Sequence, residues 1–127
     1  MKDNRDLASG WLEKARSDIY AAESILTGEG PFDTACFHAQ QAIEKSLKSL
    51  LAFWENPIPR THDLDELQRL CLAIHPSRQL MELDLTEVTD YAVQLRYDIE
   101  FWPEREIAES ALALSKRVLE IVQEMLG

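Results

Sequence analysis

The chain has 127 residues, 46% of them hydrophobic, with 13 basic against 23 acidic side chains and a formal net charge of −10. That length suits one domain, residues 1–127, with a core that needs no disulfide or metal staple. The acidic excess opposes general coating of nucleic-acid phosphate, which needs clustered Lys and Arg, but it is compatible with a local basic pocket.

Taken in order, the first predicted element is a helix over about Asp6–Leu26, with Ala8, Trp11, Leu12, Ala15, Ile19, Ala22 and Leu26 on one side. Gly28-Glu29-Gly30 ends it, and Pro31 suits the first turn of the next helix. That second helix runs to about Trp54 and is the most informative stretch of the chain. One face carries Phe32, Cys36, Ala39, Ile43, Leu47, Leu50 and Trp54; another carries His38, Gln41, Lys45 and Lys48. Lys45 lies about 200° around the helix from Ile43, so its face is expected to point away from the core and present a cationic surface. Glu44 and Lys48 read as an exposed i,i+4 pair worth about 0.2–0.5 kcal/mol.

Asn56-Pro57-Ile58-Pro59 forbids further helix. A short third helix starts at Thr61 or Asp63, where Asp63 and Glu66 have capping-box spacing, and ends near His75-Pro76. It carries Leu64, Leu67, Leu70, Cys71 and Ile74. The fourth spans Leu85 to Tyr97, with a turn around Arg78–Leu83 before it and a stripe of Leu85, Val88, Ala92 and Leu95. The fifth, Glu104 to Leu126, has a wide apolar face that includes Ala108, Ala111, Leu112, Val118 and Val122, as for a central or subunit-interface helix. No stretch alternates with the period of a strand. The expected fold is all-α: an antiparallel four-helix up-and-down bundle with one additional short helix.

Cys36 and Cys71 fall on apolar stripes and form no CxxC pair, so they read as buried thiols in a reducing compartment. The opening MKDNRDLASG lacks the apolar segment of a signal peptide, and no apolar run is long enough to span a bilayer. A cytoplasmic protein without membrane association is expected. No Glu is followed three residues later by His, and no P-loop, dinucleotide fingerprint or nucleophile elbow occurs. No metal and no cofactor are therefore expected.

Three segments resemble the HEPN domain family: HAQQAIEKSLKSLL at 38–51, THDLDEL at 61–67 and YAVQLRYD at 91–98. In this order, with amphipathic helices before and after, the resemblance covers about Leu7 to Leu126. It implies the bundle with its extra short helix, a homodimer, and pairing with a minimal nucleotidyltransferase as in toxin–antitoxin modules. Members with metal-independent RNase activity carry an Arg, four to six residues, then a His. Arg96 matches that Arg, whereas residues 100–103 are Glu, Phe, Trp and Pro. The missing imidazole removes the group that would exchange a proton near neutral pH, so a degenerate motif is expected. Arg69 and His75 have the right spacing but sit in the wrong helix.

The candidate ligand-binding residues are Lys45, Arg96, Tyr97, Gln41 and His38, for a nucleotide or RNA: cations for phosphate, an aromatic ring for a base, polar groups for orientation. Should an endoribonuclease activity exist, Arg96, His62 and His38 are the weak catalytic candidates. His62 is expected to meet the Gln41–Glu44 region of the second helix. A purely structural interaction module is the remaining alternative.

Overall fold

The computed structural model describes residues 2–127. Six helices follow one another: α1 (Asn4–Leu26), α2 (Phe32–Phe53), α3 (Leu64–Ile74), α4 (Arg78–Met81), α5 (Thr86–Tyr97) and α6 (Arg105–Leu126), with no strand among the described residues. The all-α bundle expected from the periodicities is what forms. Its proportions differ: α1, α2 and α6 are long, α5 at 12 residues is nearly as short as α3 at 11, and the turn before α5 closes into the four-residue α4.

Local chemistry sets the ends. Asp3 caps α1 through a capping box, its carboxylate accepting from the Asp6 amide while Asp6 accepts from Asp3. Asp63 caps α3 by accepting from the Asp65 and Glu66 amides. The expected return bond from Glu66 goes instead to the Thr61 hydroxyl, which donates to it at 3.0 Å and accepts from the Asp63 amide. At the end of α2, Glu55 takes a left-handed φ of 56° while its amide reaches the Ala52 carbonyl and that of Asn56 the Leu51 carbonyl. This helix-ending geometry favours glycine at that position.

α1 and α2 form an antiparallel hairpin: Asn4, at the start of α1, donates to the Phe53 carbonyl at the end of α2. α6 returns antiparallel to α1, since Arg105 at its start meets the Leu26 carbonyl and Lys116 bridges to Glu23. The central element is α2, which touches α1, α3, α5 and α6. Every residue from Ser46 to Ala52 is buried. Besides the large stripe of Cys36, Ile43, Leu47 and Leu50, α2 carries a row of small buried residues, Ala35, Ala39, Ala42, Ser46 and Ser49, which allows neighbouring helices close approach. Ser46 and Ser49 satisfy their hydroxyls on the Ala42 and Ser46 carbonyls, the expected solution for a buried helical serine.

Two expectations are corrected here. α6 is not the centre of the bundle; its buried row of Ala108, Ala111, Ser115, Val118 and Val122 packs against α2 and α1. The polar face of α2 is not a free cationic surface, because helices and the 54–63 segment surround it. Glu44 and Lys48 are buried rather than exposed.

Candidate functional site: a cleft between the start of α3 and the end of α5

Two buried carboxylates organise the polar side chains of α2. The first is Asp18 of α1. Its Oδ1 lies 2.8 Å from His38 Nδ1 and its Oδ2 accepts from Lys45 Nζ at 2.6 Å. Asp18 neighbours core Ile19 and has the small Ala15 and Ala22 on either side, so α1 comes close enough to α2 for a carboxylate to bridge two of its residues. The second is Glu44 of α2. Its Oε2 accepts from Lys48 Nζ at 2.9 Å, while Oε1 lies 2.9 Å from His62 Nδ1 and accepts from Gln40 at 3.4 Å. Lys48 also stands over the Trp11 ring, 5.8 Å from its centroid, an additional stabilisation for a desolvated ammonium. Gln41 donates to the Gln40 side chain at 2.9 Å. The expected meeting of His62 with the Gln41–Glu44 region is therefore present.

His62 is the outward member of the second group: its side chain is 57% exposed against 5% for Glu44. It lies in the wall of a cleft of about 390 Å³ formed by residues 60–63 before and at the cap of α3 and by Thr89, Ala92, Val93, Arg96 and Tyr97 of α5. Arg60 and Arg96 both line it, and neither has an ion-pair partner among the described residues. Tyr97 is 81% exposed at its edge. Thr89 contributes a hydroxyl that is the one buried side-chain polar atom without a hydrogen-bond partner among the described residues. Asp63 is also in the wall, but its carboxylate is engaged by the two amides it caps. Two of the amides at the start of α3 are thus already satisfied.

The structure divides the sequence candidates. Arg96, Tyr97 and His62 share the cleft. His38 and Lys45 share Asp18 in the α1–α2 seam, and Gln41 is tied to Gln40. Sequence reading singled out neither Arg60 nor Thr89. Arg60 follows a proline pair in a segment without periodicity, which offers no pattern to place it. Arg69 is exposed on α3, while His75 caps that helix and packs on Trp54 with ring centroids 5.5 Å apart. That pair makes no site. Where a histidine would follow Arg96, Phe101 is half-buried against the core, Trp102 is exposed and Pro103 is buried.

A larger hollow of about 590 Å³ lies along Leu7, Trp11 and Ile58. It contains no arginine or histidine, whereas the smaller cleft has two arginines and a histidine. Both cysteines are free and buried; Cys71 donates its thiol toward the Leu47 carbonyl at 3.6 Å. Burial, with Asp33 nearby, pushes the Cys36 thiol up to about 11, and burial pushes Cys71 up to about 12. Burial likewise raises the Tyr91 phenol. None of the three is a nucleophile near neutral pH. No group of described residues is arranged to hold a metal ion, and no helix is long and apolar enough to cross a membrane.

The bundle is that of a known class. The family model for the HEPN domain matches residues 8–125, and the chain belongs to that family. It is similar to the crystal structure of ST0689, an archaeal HEPN homologue, with a TM-score of 0.65 and 20% identity over 100% of both chains, a likeness of fold. No curated protein matches it.

Proposed function

We propose that this HEPN protein binds a phosphate-bearing ligand, a nucleotide or a single-stranded RNA, in the cleft between the start of α3 and the end of α5. The observation that carries the reading is the presence of Arg60 and Arg96, both without an acidic partner, on one wall system with the His62 ring and the exposed Tyr97. Guanidinium groups bind phosphate by paired donors, and an exposed phenol offers a face on which a base stacks. Titration with ADP and with a short single-stranded RNA at several salt concentrations tests it. Affinity should fall as salt rises and should drop in Arg96→Ala and Arg60→Ala; binding indifferent to salt and to both substitutions would overturn the reading.

A second reading is favoured by one specific observation: His62 and Arg96 line the same cleft although the usual downstream histidine is missing. In that reading the chain is a metal-independent endoribonuclease with His62 as its proton-transfer group. RNA incubated without metal should then be cut by the parent protein and spared by His62→Ala and Arg96→Ala. Two assembly proposals accompany the ligand: a homodimer, and docking of a minimal nucleotidyltransferase as in a toxin–antitoxin pair. Support comes from Val93, Ile99 and Trp102, large apolar side chains left exposed on α5 and the link that follows it. Sedimentation of the chain alone, then with such a partner, tests each.

A further inference from the structure

We infer that Glu44 is a positioning residue for the cleft: it fixes the ring hydrogen of His62 on Nδ1, so that Nε2 offers a lone pair to a phosphate ligand bearing a neighbouring hydroxyl. The inference rests on the phosphate-cleft reading and names the ligand class more narrowly.

Glu44 accepts from Lys48 through Oε2 and from Gln40 through Oε1, where His62 Nδ1 also lies at 2.9 Å. A carboxylate held against an ammonium has no hydrogen to give, so Nδ1 must be the donor. In the neutral ring Nε2 is then an acceptor, and among the described residues nothing bonds to it. Carboxylates fix imidazole tautomers in this way behind metal sites. Stability alone is a weak reason for the arrangement, since a buried ion pair can often be replaced by apolar residues at no loss. What the pair does here is hold a ring that is more than half exposed on the cleft wall.

The two arginines offer only donors, which suits phosphate oxygens. Nε2 is the complementary feature, suited to a hydroxyl close to the phosphate. A ribonucleotide 3′-phosphate, whose 2′-hydroxyl adjoins the phosphate, is the simplest molecule with both. A 2′-deoxy analogue keeps the phosphate and loses the donor.

The test uses the full chain at about pH 8, where an ordinary imidazole is neutral. Uridine 3′-monophosphate and its 2′-deoxy counterpart are titrated against the parent protein and against Glu44→Leu/Lys48→Leu, which removes every acceptor at Nδ1 without stranding a buried ammonium. Nitrogen-15 NMR reads the His62 tautomer in both proteins. The parent should prefer the ribose form by about tenfold, the scale of one lost hydrogen bond, with Nδ1 carrying the hydrogen. In the double variant the ratio should approach about one and the tautomer preference should vanish. The ratio, rather than either affinity, is the readout. Equal binding of both probes, weakened by Arg96→Ala, would overturn the inference and leave the cleft reading intact. If neither probe binds, the cleft reading falls, and the NMR still decides the role of Glu44. A tautomer that the double variant leaves unchanged overturns it. Should that variant fail to fold, Glu44→Met/Lys48→Met with the same two readouts takes its place, because it also removes the carboxylate and its buried counterion; no change in ratio or tautomer there counts against the inference.

Discussion

Asp18 and Glu44 do the same thing with partners of the same types, and the difference lies in where the arrangement leads. Each is a buried carboxylate that holds one lysine and one histidine, and each lysine comes from α2. Around Asp18 all three side chains lie in the seam between α1 and α2, and the histidine is 29% exposed. Around Glu44 the lysine is nearly buried, while the histidine comes from the segment before α3 and is 57% exposed beside two unpaired arginines. An ion triad can therefore be a seam or a mount, and its members' identities do not tell which. The exposure of the histidine and the company it keeps do.

The largest expected effect separates the two on stability. Glu44→Leu strands the Lys48 ammonium in the interior and should cost about 3–5 kcal/mol, most of it recovered by adding Lys48→Leu. Urea denaturation of the single and double variants measures both. Asp18→Ala should cost less, about 1–3 kcal/mol, because Lys45 and His38 keep some access to water, and it should leave ligand binding in the cleft unchanged. A loss equal to that of Glu44→Leu would erase the proposed contrast. Arg96→Ala should behave oppositely: stability within about 0.5 kcal/mol of the parent, anion affinity down about tenfold and the salt slope reduced by about one, read by titration at two salt concentrations. Away from both triads, Glu55→Gly should stabilise by about 0.5–1 kcal/mol, since it relieves a left-handed φ of 56° in a non-glycine residue; a thermal melt checks it.

The smallest effect near neutral pH is the last. Burial raises the Cys36 and Cys71 thiols from 9.0 to about 11 and about 12, so the folded chain holds those protons longer than the unfolded one. Their contribution is complete below about pH 9 and is lost as pH climbs through the raised values. Denaturation midpoints measured from neutral to strongly alkaline buffer should fall only in that upper range.

Much of the fold was legible because a one-sided apolar stripe and a proline or glycine break are local signals. α1, α2, α3, α5 and α6 begin and end within a few residues of their predicted bounds. The burial of the second face of α2 was not legible from that stripe alone. A stripe reports one contact, whereas α2 has neighbours on several sides, and its charged residues are covered through pairings fifteen or more residues away in sequence, such as Lys45 to Asp18 and Glu44 to His62. A signal did exist in the row Ala35, Ala39, Ala42, Ser46 and Ser49, whose small side chains mark a second packed face. Of the site, the family resemblance pointed to Arg96, Tyr97 and the contact of His62 with α2. It could not place Arg60, because nothing periodic governs a chain between two prolines and a cap.

Arg105 has a consequence for the order in which the molecule is completed. Its guanidinium donates to the carbonyls of Leu26 and Gly28 and covers the Phe32 ring at 4.8 Å. The last turn of α1 has no basic residue of its own. The last carbonyl of α1, on Leu26, is thus satisfied by a side chain 79 residues further along, so the bend between α1 and α2 is tied down only once α6 has docked.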